Sequence, residues 1–336
     1  MTESPKTLDV VVIGGGSAGL SGALALTRSR RRVLVVDSGE PRNAPSAHVH
    51  NYLTRDGAPP AEIYSRGREE VLGYGGRFES GRVTGLARDG DTFRVQLAGG
   101  SVPARRLLVA TGSRDELPDI PGLAERWGID VLHCPYCHGW EVRDQRIGVL
   151  ASSPMALHQV LMFRQLTADV SLLPISGFVP SEEQLEQLAA LSVPIREREV
   201  VQVELGAQGL TGVRLADRSL VPLDALVVAP RCFARAELLG PLGLEAGDVR
   251  VGEVLVGTQV EADPTGATAV PGVWVAGNVA NAMAHVATSS AAGVAAGAAI
   301  NADLIAEDTG RAVQAYRDAA DPSAGGVSEP SSMMAR

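Results

Sequence analysis

Cysteine is scarce in this chain. Three stand in 336 residues, and two of them, Cys134 and Cys137, share the stretch "HCPYCHG" at 133–139. In a reducing compartment so isolated a pair points to catalysis or metal binding rather than to a structural staple. A surplus of basic residues is also missing. The formal net charge of -9 leaves no basic face of the kind a phosphate-backbone binder uses to release counterions, so nucleic acid is not an expected partner. Aromatic residues make up only 4% of the chain, against 45% hydrophobic and 21% charged, the profile of a soluble globular protein built from small side chains. The opening "MTESPKTLDVVVIGGG" carries no basic n-region, apolar h-region or cleavage site, and a cytoplasmic location is expected. The least polar stretch, "HVATSSAAGVAAGAAI" at 285–300, is mostly Ala, Gly and Ser. It lacks the hydrophobicity of a membrane span and predicts a buried helix, so no membrane partner is expected. The length suggests two domains of ordinary size.

What is present begins with "VVVI" at 10–13, a short apolar run that reads as a strand buried on both faces. Gly14-Gly15-Gly16-Ser17-Ala18-Gly19 follows, fitting G-x-G-x-x-G, then a helical stretch, then "RRVLVVD" ending at Asp37. In the order strand, glycine turn, helix, strand, acid, each part has a task. Gly14 permits the tight turn, Gly16 lets backbone approach a pyrophosphate, and Gly19 lets helix and strand pack closely. The helix N-terminus opening at Ser17 and Ala18 faces the phosphates. Asp37, eighteen residues beyond Gly19, is placed to accept hydrogen bonds from the ribose of an adenosine.

Two further strands end where a ligand can sit: "RRLLVATGS" at 105–113, with Ala110, Thr111 and Gly112, and "PGVWVAGNVA" at 271–280, with Gly277 and Asn278. With the glycine motif they resemble the low-molecular-weight thioredoxin reductase family of flavoproteins, over roughly residues 8 to 310. The resemblance implies FAD in the first unit, with Gly277 and Asn278 near its ribityl chain and pyrophosphate. It also implies that Asn51 and Val83 touch the cofactor, that Ala287 opens a long helix beside the flavin, and that the protein is a homodimer. The family usually has Asp where this chain has Asn278; Asn still hydrogen-bonds a hydroxyl.

An internal repeat marks a second unit. Aligning "VVIGGGSAGL" with "GVLASSPMAL" sets Ala151, Ser153, Ala156 and Pro174 against Gly14, Gly16, Gly19 and Asp37. The pattern repeats without its chemistry. A Cβ on Ser153 crowds a pyrophosphate, and Pro154 removes a donor. Between Pro174 and Ile195 no Lys or Arg stands ready for the 2′-phosphate of NADPH. This unit reads as a scaffold carrying the cysteines.

For the C-x-x-C itself the spacing leaves several chemistries open. Cys134, Cys137 and His138 fit the C-x-x-C-H haem pattern, which belongs to exported proteins. His133, Cys134, Cys137 and His138 offer four zinc-type ligands, yet adjacent residues do not readily converge on one tetrahedral ion. By its resemblance to the reductases the pair is a redox disulfide. Cys137 is then the sulfur nearest the flavin, Cys134 exchanges with substrate, and His138, where the family commonly has Asp, acts as acid and base. His133 is either functional or a strand-end residue, and Cys232 reads as a buried small hydrophobe. The expected fold is α/β, two doubly wound Rossmann-like domains. An FAD domain of residues 1–117 and 246–320 holds the C-x-x-C domain of 118–245 inserted within it, and 321–336 form a disordered tail. The eroded second site and "CPYCHG" resemble the dithiol oxidases of the gliotoxin and holomycin type. The expected activity is oxidation of a small-molecule dithiol, with molecular oxygen reduced to hydrogen peroxide. An NADPH-dependent thioredoxin or disulfide reductase and a non-enzymatic flavin redox sensor are the alternatives.

Overall fold

The computed structural model describes residues 7–152, 155–175 and 178–320. The expectations for Ser153, Pro154 and the 321–336 tail lie outside the described residues. Leu8–Ile13 is a strand buried along its whole length. It lies parallel between Val33–Asp37 on one side and Gly100–Val109 on the other. Alternation along it decides the two faces, since successive side chains of a strand point opposite ways. Val10 and Val12 pack against helices, among them Ser17–Arg28 and Val286–Ala320, while Val11 and Ile13 face a second core with Phe93, Val260 and Leu239. That second core lies under antiparallel strands, so the first unit has helices on one face of its sheet and strands on the other.

The second unit repeats the plan. Ile147–Ala151 is flanked by parallel Val170–Pro174 and Ala225–Val227, with Val131–Leu132 beyond. Phe163 and Leu188 cover one face from helices. The antiparallel strands Val200–Gly206, Gly209–Leu215 and Leu220–Pro222 cover the other.

Residues 231–245, which the sequence reading gives to the inserted domain, pack with the first unit. Arg231–Ala234 pairs antiparallel with Ser113–Glu116, and Ala234, Ala236, Leu239 and Leu244 enter the core that Val11 and Ile13 face. Apolar burial, not the chain position of the repeat, sets where the insertion closes.

The Val286–Ala320 helix is long and apolar enough to cross a membrane by length and composition alone, contrary to the sequence reading of its first half. Its Ser289, Gly293, Ala296, Gly297, Ile300 and Leu304 are buried instead. A Cβ at Gly293 would collide with the Ala18 carbonyl, so the glycine lets this helix lie directly on Ser17–Arg28.

Candidate active site

The glycine turn is held from three sides. Gly14 has φ +107, where a side chain is strained, and a Cβ there would strike the Ala110 carbonyl; one at Gly19 would strike the carbonyl of Gly14. At Gly16 a Cβ would meet nothing within 4 Å. Two glycines serve packing, and the third leaves open space before the N-terminus of the Ser17–Arg28 helix. Asp37 Oδ1 accepts a hydrogen bond from the Gly15 N–H at 3.0 Å, so this carboxylate braces the turn as well as facing the cleft.

A cleft of about 1420 Å³ runs from this cradle to the cysteine pair. Gly14, Gly16, Ser17, Ala18, Asp37, Val83, Ala110, Thr111, Gly112, Gly277 and Asn278 line it, with Cys134, Cys137 and His138. Gly19, Asn51 and Ala287 do not. Gly19 is a packing glycine. Ala287 gives way to its helix neighbours Val286 and Ser289, because each residue turns the face by about 100°. Asn51 is exposed, sits at φ +57, and donates its amide to the Tyr136 carbonyl inside the C-x-x-C. The side chain expected to touch the flavin ties the first unit to the cysteine loop.

Asn278 explains its own departure from Asp. Its Nδ2 donates to the carbonyls of Asn281 and Ala284, at 3.2 and 2.9 Å. A carboxylate has no proton to give to these carbonyls. The amide donor is therefore spent on the 277–284 turn, and Oδ1 is what remains for a ligand.

Cys134 precedes the short helix Pro135–His138, and the amides of Cys137 and His138 both donate to its carbonyl. Residues three apart on such a turn share a side, which brings the sulfurs together. A third group joins them from far along the chain. His285 Nδ1 lies 3.4 Å from Cys137 Sγ, and the three ligand atoms of Cys134, Cys137 and His285 lie within 4.8 Å of one another. The Cys137 thiol donates to Cys134, pulling the Cys134 pKa far below the usual thiol value despite burial, with further help from His285. Cys137 is pushed up by that same bond and by burial. The His285 pKa is raised, chiefly by its hydrogen bond to Cys134. These directions favour a thiolate at Cys134, a thiol at Cys137 and the protonated form of His285 beside them.

His138 does not take that position. It lines the cleft, but burial lowers its pKa, and among the described contacts no hydrogen bond joins it to either sulfur. The sequence reading missed His285 because 148 residues separate it from Cys137; the only signal was its place at the head of the Ala-rich helix. His133 also lines the cleft with its pKa lowered by burial, and its carbonyl accepts from Gln159 Nε2 at 3.1 Å. Cys232 is more than an apolar filler. Arg42 Nη2 donates to its sulfur at 3.2 Å, Arg42 also forks onto Asp115, and burial raises the thiol pKa to about 11.

Beyond the cysteines the cleft wall continues with Met155, His158, Gln159, Met162 and Ile175 of the second unit, where the repeat would put a second nucleotide. Among the described residues from Ala151 to Ile195 the only cation is Arg164, at the far end of its helix.

Residues 8–293 match the family model described as pyridine nucleotide-disulphide oxidoreductase. Thioredoxin reductase tcpT of Claviceps purpurea (strain 20.1) is 33% identical, covering 90% of this chain and 96% of that protein. Thioredoxin reductase sirT of Leptosphaeria maculans is 30% identical, covering 92% and 98%. The solved structure of HlmI has TM-score 0.87 and 45% identity, covering 94% of this chain and 98% of that one.

Proposed function

The chain belongs to the pyridine nucleotide-disulphide oxidoreductase family, and we propose that within it the protein is a FAD-dependent dithiol oxidase. It turns a small-molecule dithiol into a disulfide through Cys134 and Cys137, with molecular oxygen as the final acceptor and hydrogen peroxide as its product. One observation carries this reading: a single cleft joins the glycine cradle, the cysteine pair with His285, and a second-unit wall whose described lining residues Met155, His158, Gln159, Met162 and Ile175 include no Lys or Arg for the 2′-phosphate of NADPH.

The cradle fits FAD. Gly16 leaves room for a pyrophosphate before a helix N-terminus, Asp37 offers a carboxylate to ribose, and Val83, Ala110, Thr111, Gly112, Gly277 and Asn278 would hold the rest. When bound, FAD supplies the two-electron acceptor that restores the cysteine disulfide.

The residues account for the protons. With the pair oxidised, the thiolate that raises the His285 pKa is gone while burial and Arg42 still favour the neutral ring, which takes a proton from one substrate thiol. The substrate thiolate attacks Cys134 Sγ, the Cys134–Cys137 bond breaks, and Cys137 leaves and recovers the proton from His285. His285 then deprotonates the second substrate thiol. This attacks the sulfur already bonded to Cys134, the product disulfide forms, and Cys134 departs as thiolate. A low-pKa thiolate is a good leaving group, which favours this step. Two electrons and two protons have moved from substrate to protein. The end state has Cys134 thiolate, Cys137 thiol and charged His285, the electrostatic arrangement that the reduced site favours.

Anaerobic mixing of the yellow holoprotein with NADPH, and separately with a small dithiol, tests the proposal through flavin absorbance. Bleaching with dithiol alone, then one hydrogen peroxide per disulfide in air, is the expected result. Bleaching with NADPH alone would sink it in favour of a reductase.

A further inference from the structure

We propose that the reduced protein holds a second kind of ligand at its thiols: a soft divalent cation, Zn2+ or Cd2+, bound by Cys134 Sγ, Cys137 Sγ and His285 Nδ1. The donor set is two sulfurs and one imidazole nitrogen, the mixture that borderline-soft cations prefer over Mg2+ or Ca2+. Its dimensions suit a tetrahedral ion. With Zn–S and Zn–N bonds of ordinary length, a sulfur and a nitrogen on one tetrahedron lie about 3.6 Å apart, and Cys137 Sγ and His285 Nδ1 are 3.4 Å apart. The third atom, Cys134 Sγ, lies within 4.8 Å of both. Two elements 148 residues apart supply the set, so it is a product of the fold rather than of C-x-x-C spacing alone. All three residues line the cleft, which leaves the fourth position to water.

Both sulfurs bind as thiolates and the imidazole as its neutral form, so any protons they carry leave to solvent as the ion enters. No electrons move. The site is gated by redox state, because the disulfide removes both sulfur ligands at once. An ion bound there keeps the sulfurs from closing into a disulfide, which makes it a brake on any turnover that passes through the pair. The assignment needs only free thiols and His285, and stands whether the electrons come from a dithiol or from NADPH.

The test titrates anaerobically reduced holoprotein, freed of reductant, with Zn2+ against a chromogenic chelator, and with Cd2+ while following the thiolate-to-metal band in the ultraviolet. The expected result is one ion per chain for the reduced protein and none for the oxidised protein. Groups that merely hydrogen-bond a metal ligand are worth about 10- to 100-fold in affinity, so His285→Gln should weaken binding by at least about tenfold, while His138→Ala binds as the parent does. Equal affinity in the His285→Gln variant overturns the assignment, as does equal binding by oxidised protein or no binding by reduced protein. A loss in His138→Ala as large as in His285→Gln moves the nitrogen ligand elsewhere and overturns it too.

Discussion

His285 Nδ1 meets Cys137 Sγ at 3.4 Å across 148 residues of sequence. His285 is the residue before the Val286–Ala320 helix, and its carbonyl accepts from the amide of Ser289 and the hydroxyl of Thr288, at 2.8 and 3.0 Å. The backbone that anchors the imidazole is therefore part of the first turn of the longest helix in the first unit, while the sulfurs belong to the second unit. An imidazole from one unit and two sulfurs from the other meet only in the folded chain.

Replacing His285 by Ala should slow dithiol-driven flavin reduction by about 10² to 10⁴ near neutral pH, the usual worth of a general base. The sign of the pH dependence follows from the redox state. Cys134 raises the His285 pKa only while it is a thiolate; in the disulfide state the influences that remain, burial and the charge of Arg42, both favour the neutral ring, which takes a proton only as the medium turns acidic. The parent rate should fall as pH drops into that range, and His285→Ala should lose the acid limb. Stopped-flow traces across pH decide; a limb that survives in His285→Ala but vanishes in His138→Ala would return the role to His138.

Thiol labelling of the reduced protein should favour Cys134. Its thiolate is stabilised by the Cys137 thiol and by His285, while Cys137 keeps its proton. Brief anaerobic iodoacetamide treatment at mildly acidic pH, followed by peptide mass spectrometry, should find the adduct on Cys134 first. Preferential labelling of Cys137 would reverse the order of the two sulfurs.

Two glycines of one motif should fail in different ways. Gly16→Val faces open space, so the variant should fold, with parent-like far-ultraviolet circular dichroism, and purify without flavin. Gly19→Val drives a side chain into the Gly14 carbonyl and should not accumulate as folded protein. A yellow Gly16→Val variant would remove the phosphate role assigned to that position.

Asn51→Ala should keep its flavin and loosen the cysteine loop. The lost bond runs to the Tyr136 carbonyl, and the residue stands at φ +57 where Asn is better tolerated than Ala. Hydrogen exchange in 133–139 should quicken with FAD content unchanged. Flavin loss with unaltered exchange would make Asn51 a cofactor ligand after all.

The site was legible wherever its chemistry is local. A glycine turn between a strand and a helix announces itself because its constraints are largely local, as that of Gly19 against the Gly14 carbonyl is. Asn278 was legible as a position, but its reason was not, since the carbonyls it satisfies belong to a turn whose shape the sequence does not state. Cys232 was read as apolar because nothing near it in sequence is charged toward it; Arg42, 190 residues away, is.

By itself the sequence determined the two-unit plan, the glycine cradle and the cysteine pair, because buried strands, tight turns and C-x-x-C spacing are written in runs of a few residues. Tertiary structure alone decided which histidine meets the sulfurs, which unit claims residues 231–245, and that Asn51 binds the cysteine loop. Each of these depends on where separate surfaces bury their apolar area against one another. That packing places side chains from distant parts of the chain a few ångströms apart, with no trace in the spacing between them.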